Sequence, residues 1–166
     1  GTAPAVLKAS SVIAKEEKVL IMPADLVLTG QGYSDALQAA KLLADQGQYV
    51  LFGVRADEPK TSYGYIRYQG NRVSRFIEKP SKEMAEKIFY QDDILWNSGM
   101  ILCNNGMLQK ELEEVLRNKA KAVGSAAYAQ RDKNTTSRIH IEKALLEASD
   151  HVAVVPLFME WQDVSN

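Results

Sequence analysis

Apolar and polar positions change period several times along the 166 residues, and each change marks an element. Thr2 to about Glu17 reads as a helix, with Thr2 as its N-cap and Pro4 early enough to need no backbone donor. Val19–Met22 is a continuous apolar run stopped by Pro23, a pattern suited to a strand buried on both faces. From Tyr33 to Gln46 the apolar positions Ala36, Leu37, Ala40, Leu43 and Ala44 recur at helical spacing, and Gly47 follows as a terminator. Tyr49–Val54 is a second buried run, so this stretch spells β, α, β. Gly64–Tyr68 and Arg72–Ile77 alternate on either side of Gln69-Gly70-Asn71, which predicts an antiparallel hairpin.

Ser81 predicts the N-cap of a helix reaching about Phe89, and Asn97–Cys103 a further strand. Helices are expected over Met107–Arg117 and Arg138–Ala148, with Ala120–Thr136 between them left unassigned. A strand at His151–Val155 ends at Pro156, and Phe158–Trp161 fits one more short strand. The expected fold is therefore one α/β domain with a mostly parallel sheet, the hairpin lying at one side or end of it.

Composition narrows the function. Twenty Lys and Arg against 21 Asp and Glu leave a net charge of −1, so no broad basic field exists to attract a nucleic-acid backbone. No apolar run approaches the length of a membrane helix, and no signal-peptide pattern opens the sequence. The single cysteine, Cys103, has no partner within the chain and suits a reducing compartment, which points to the cytoplasm.

A few polar residues stand at strand ends, where open α/β sheets place their ligands. Asp25 follows the first buried strand, and Asp163 follows Trp161; each is either a ligand for a hard cation or a loop-capping carboxylate. Arg75–Pro80 closes a strand, so Glu78 and Lys79 are expected to project to opposite sides by the two-residue period. Lys79 there either neutralises a phosphate or belongs to a solvated charge pair. Leu95–Met100 mixes Trp96, Asn97, Ser98 and Gly99 into an apolar stretch, the mark of a bulge or of a ligand's close approach. Thr61–Tyr65 offers hydroxyls and amides to a polar ligand, or simply enters the hairpin. His140 and His151 lack metal-ligand spacing.

Taken together, Thr2–Val6, Met22–Asp25, Phe52–Val54, Tyr63–Ile66, Arg75–Pro80, Leu95–Met100 and Trp161–Val164 resemble, in order, the segments of the sugar-1-phosphate nucleotidyltransferases. Within that family the likeness is greatest to the guanylyltransferases acting on mannose 1-phosphate. The resemblance implies a Rossmann-like nucleotidyltransferase core that joins GTP and a sugar 1-phosphate and releases pyrophosphate. It assigns Mg²⁺ to Asp25 and Asp163, the sugar phosphate to Lys79, and the sugar hydroxyls to Glu78. Asn97 and Gly64 take positions lining the hexose pocket, and Thr2 a segment near the nucleotide.

There are departures. The family's Gly-x-Gly-Thr-Arg-Leu signature lies upstream of the matching segments and has no counterpart here. Lys60-Thr61-Ser62 replaces Glu-Thr-Gly, Leu26 replaces His, and Ser165 replaces Gly. Two expectations follow. One is part of a longer transferase, with an open sheet edge where the first strand is missing and apolar surface that favours homo-oligomers. The other is a sugar-nucleotide binding or structural module without turnover.

Overall fold

The computed structural model describes residues 1–123, 139–146 and 149–164. Ala120–Thr136 and the predicted Arg138–Ala148 helix fall partly outside the described residues. The chain divides into two compact units: residues 1–19 with 103–150, and residues 20–102 with 151–166.

In the first unit, α1 spans Thr2–Ser10, well short of Glu17. Its end is set by side chains that take up helix carbonyls. Ser10 Oγ donates to the Leu7 carbonyl and Ser11 Oγ to that of Lys8, each at 2.8 Å. Asn105, fully buried, then fastens the turn that follows, its amide donating to the carbonyls of Ser10, Ile13 and Ala14 at 2.8–3.1 Å. A long helix, α4, runs over Asn105–Val123, and a short one, α5, over Ile141–Leu146. Gly1, not Thr2, occupies the N-cap of α1. The Thr2 hydroxyl instead accepts the Ile141 backbone N–H at 2.9 Å, holding the first turn of α5.

The second unit holds most of the strands. β1 covers Lys18–Ile21 and β6 Ile94–Asn104, the chain passing from one unit to the other within each. β3 spans Tyr49–Arg55, and its first six residues are all buried. β7, Val152–Pro156, pairs with it in parallel, Leu51 facing Val154. α2, Tyr33–Asp45, packs on these two strands; its buried face is Ala36, Ala40 and Ala44, small side chains that let helix and sheet approach closely. The hairpin strands are β4, Tyr65–Gln69, and β5, Arg72–Ile77. α3, Lys82–Ile88, starts as expected, the Ser81 hydroxyl accepting the Met84 N–H at 3.3 Å.

The sheet is mixed, not mostly parallel. Its order is β1-β6-β3-β7-β5-β4, and β4 also pairs with β6. Among the registered pairs of this sheet only β3–β7 is parallel; β3–β6, β4–β5, β4–β6 and β5–β7 are antiparallel. Five strands, β6, β3, β7, β5 and β4, thus close into a hydrogen-bonded ring, and the hairpin is part of it rather than an appendage. The apolar runs at β3 and β7 are buried on both faces as expected, whereas β1 is only half-buried and Met22 lies exposed beyond it; none of them carries information about strand direction. A strand the pattern does not show, β2 at Leu26–Thr29, pairs antiparallel with β8 at Glu160–Asp163 in a separate two-stranded ribbon. β8 also begins two residues later than the expected Phe158.

Candidate active site

The second unit brings most of the predicted polar residues to a few neighbouring backbone stretches. The first is the mouth of the hairpin. Gly64, buried, directly precedes β4, and its carbonyl accepts the Asn97 N–H at 2.8 Å. A methyl group on Gly64 would sit 2.8 Å from Phe76 Cζ and 2.9 Å from Glu78 Oε2. The glycine is therefore a matter of space, since the Glu78 carboxylate lies against the bare α-carbon. Gly64, Asn97 and Glu78, far apart in sequence, meet here.

Beyond Ile77, β5 has ended, so Glu78 and Lys79 do not follow the strand's alternation. Lys79 adopts φ +42°, the left-handed region, and it is the one non-glycine residue among those described to do so. Such a backbone costs about 1–2 kcal/mol and persists where its surroundings enforce it, often at functional sites. Both side chains are exposed, ahead of the buried Pro80.

The second stretch is an irregularity in β6. Leu51 faces Ile101 and Gly53 faces Asn97, so Ser98, Gly99 and Met100 stand against Phe52 alone. Ser98 closes the gap, its hydroxyl donating to the Phe52 carbonyl at 2.7 Å and accepting the Met100 N–H at 3.3 Å. Gly99 takes φ +77°, and a methyl group there would lie 2.8 Å from Pro23 Cγ. The bulge thereby sets Asn97 in place and abuts the turn that carries Asp25.

Asp25 is exposed at the start of β2. Leu26 is the register partner of Asp163, and the Val164 N–H donates to the Asp25 carbonyl at 3.1 Å. The α-carbons of the two aspartates are accordingly within about 9 Å, from one cross-strand step and one residue step. Among the described residues no group of three or more His, Cys, Asp or Glu could hold a metal on its own. The two aspartates thus stand at neighbouring backbone positions at one end of the β2–β8 ribbon.

Aromatic rings join these stretches, and this feature was not legible in the sequence. Tyr63 stands edge-on to Trp96, with centroids 5.2 Å apart, and to Trp161 at 5.0 Å; Trp96 and Trp161 are 6.3 Å apart. Tyr65, fully buried, meets Trp96 edge-on at 6.4 Å. Its hydroxyl donates to the Lys60 carbonyl at 2.8 Å, and burial pushes the phenol above its ordinary pKa. The Lys60 ammonium pairs with Glu58 at 2.9 Å; that hydrogen bond and charge hold it above the usual lysine value. Thr2 lies in the other unit, occupied with α5.

A mixed sheet with a β-ribbon, a carboxylate against a glycine and a bulged strand beside an aspartate turn together define an α/β domain with one candidate site for a polar ligand. A family profile described as nucleotidyl transferase matches residues 1–166, and the chain belongs to that family. It is 32% identical to the alginate biosynthesis protein AlgA of Pseudomonas aeruginosa, over 99% of this chain and 39% of that protein. It is 30% identical to a mannose-1-phosphate guanylyltransferase of Sinorhizobium fredii, over 99% and 36% respectively. The chain thus spans less than half the length of these curated relatives. In three dimensions it is similar to a crystal structure described as mannose-6-phosphate isomerase from Helicobacter pylori, with TM-score 0.82 and 28% identity, covering 98% of this chain and 70% of that one. A structure described as mannose-1-phosphate geranyltransferase from Thermus thermophilus matches with TM-score 0.77 and 28% identity, over 99% and 52%. No helix among the described residues is long and apolar enough to cross a membrane.

Proposed function

We propose that the chain forms the sugar-phosphate side of a nucleotidyltransferase that makes a nucleotide sugar, GDP-mannose, from GTP and mannose 1-phosphate. The observation that carries this reading is the meeting of Gly64, Asn97 and Glu78, supported by the relatives that act as mannose-1-phosphate guanylyltransferases. A carboxylate against a bare α-carbon, with half-buried Asn97 tied to the same glycine through its backbone N–H, supplies the acceptors and donor that ring hydroxyls need.

The reaction forms one P–O bond and breaks another. An oxygen of the sugar phosphate attacks the α-phosphorus of GTP in line, and pyrophosphate leaves with the electron pair of the broken α–β bridge. Lys79 neutralises the incoming phosphate, so the two anions can approach, and Glu78 orients the sugar by accepting from its hydroxyls. Asp25 and Asp163 are the residues to hold Mg²⁺. That ion, when bound, supplies charge neutralisation at the nucleotide phosphates. No residue needs to form a covalent intermediate, since positioning and charge carry this chemistry.

Pyrophosphate release from GTP and mannose 1-phosphate with Mg²⁺, measured on the full-length protein and on this chain alone, tests the reading. The full-length protein is expected to turn over. The chain alone lacks the Gly-x-Gly-Thr-Arg-Leu signature, and is expected to be slower by roughly four orders of magnitude if two oriented donors are lost with it. A full-length protein that binds the sugar nucleotide without releasing pyrophosphate would instead favour a binding module.

A further inference from the structure

The segment Lys60–Gly64 leads into the hairpin, and its Thr61 and Ser62 are exposed. Contacts along its length tie it to the strands. At its far end the Gly64 carbonyl takes the Asn97 N–H. In the middle, the Tyr63 ring stands edge-on to Trp96 and to Trp161. At its near end, the Lys60 carbonyl takes the Tyr65 hydroxyl at 2.8 Å, a side chain from the strand just beyond the segment reaching back to its beginning.

This last bond has the form of a strut. A tyrosine that donates back to a backbone carbonyl a few residues upstream closes a loop with one rigid ring and loses little rotamer freedom. Tyr65 is fully buried and packed edge-on against Trp96, so its hydroxyl cannot swing to another acceptor without moving the core. Its own backbone lies in β4, where Tyr65 is paired with both Ile77 and Trp96. The strut is thus anchored to the strand that leads into Glu78 and to the strand that carries Asn97.

We infer that Tyr65 is a positioning residue for the sugar phosphate, acting through the Lys60–Gly64 segment without touching the ligand. The inference rests on the sugar-site reading above and extends it to a residue outside the pocket. Losing the hydroxyl releases the Lys60 carbonyl from β4, while the Lys60–Glu58 pair, the Gly64–Asn97 bond and the aromatic contacts remain. The sugar side of the site then becomes looser, and the nucleotide side is untouched.

The test is Tyr65→Phe in the full-length protein, a change that removes one oxygen and keeps the ring. Steady-state kinetics should show KM for mannose 1-phosphate raised about three- to tenfold, the worth of one hydrogen bond, with KM for GTP within about twofold of the parent. Amide hydrogen exchange should quicken at residues 60–64 and stay unchanged in β3 and β7. Equal rises in both KM values, or exchange unchanged at 60–64, would overturn the inference, the first by showing a general loss of structure. If the parent protein does not act on mannose 1-phosphate, the functional reading fails, and exchange at residues 60–64 alone decides whether Tyr65 holds the segment.

Discussion

Lys79 carries the backbone cost of a left-handed φ, about 1–2 kcal/mol. Replacing it with glycine removes the left-handed penalty, whereas alanine keeps it. Lys79→Gly is therefore expected to stabilise the fold by about 1 kcal/mol relative to Lys79→Ala in urea melts, while both variants lose pyrophosphate release alike. Equal stabilities would show that the backbone is at ease there. The motif around Glu78 and Lys79 was legible as residue types at a strand end. Their orientation was not, because the strand period stops one residue before them. Cys103 makes a contrasting case. Burial, with Glu111 adding to it, pushes its thiol up to about 12 from an ordinary 9.0. The folded chain thus holds this proton more tightly than the unfolded one. The associated stability is fully present below about pH 9 and is lost as pH rises toward 12, at about 1.4 kcal/mol per pH unit for one proton. Cys103→Ala should flatten that alkaline slope, and the native thiol should resist modification at neutral pH until the chain unfolds.

At the scale of elements, α2, α3 and the β4–β5 hairpin followed from local pattern because their contacts are local. Ser81 was readable as a cap and Gln69-Gly70-Asn71 as a turn. The β2–β8 ribbon was not readable, since its two short strands come from opposite ends of the chain. Period and propensity describe a strand's own faces, not which distant strand it meets. The β6 bulge shows the same limit: Asn97, Ser98 and Gly99 looked unusual within a strand, but their tie to Pro23 belongs to the tertiary fold. Gly99→Ala combines a disfavoured φ with a methyl group 2.8 Å from Pro23 Cγ. It is expected to cost about 1–3 kcal/mol of stability and to lower activity, because either Asn97 or the Asp25 turn must shift. A crystal structure of the variant with both stretches unmoved would contradict this.

Across the whole molecule, the second unit depends on residues from both ends of its sequence. β7, from beyond residue 150, sits between β3 and β5, so the five-strand ring closes only when this late segment arrives. Such non-local pairing is slow to form and decisive once formed. A chain ended at Asp150 should lose the cooperative urea transition of the parent, as followed by circular dichroism; a retained sharp transition would mean the ring is dispensable. The α/β class and the buried runs at Leu51 and Val154 could be read from the sequence. The mixed direction of the sheet could not, because a both-faces-buried strand looks the same whichever way its neighbours run.

The chain has two tryptophans, and both belong to the ring cluster that joins the Tyr63 segment, β6 and β8. Their centroids are 6.3 Å apart and their planes are inclined at 47°, close enough for the two indole transitions to couple. Every indole photon this chain emits therefore originates beside Gly64 and Asn97. Its near-ultraviolet dichroism and emission are in effect an optical gauge of that spot, needing no attached dye. The proposed binding of a sugar phosphate there is expected to change that signal, and a titration followed by light alone checks it.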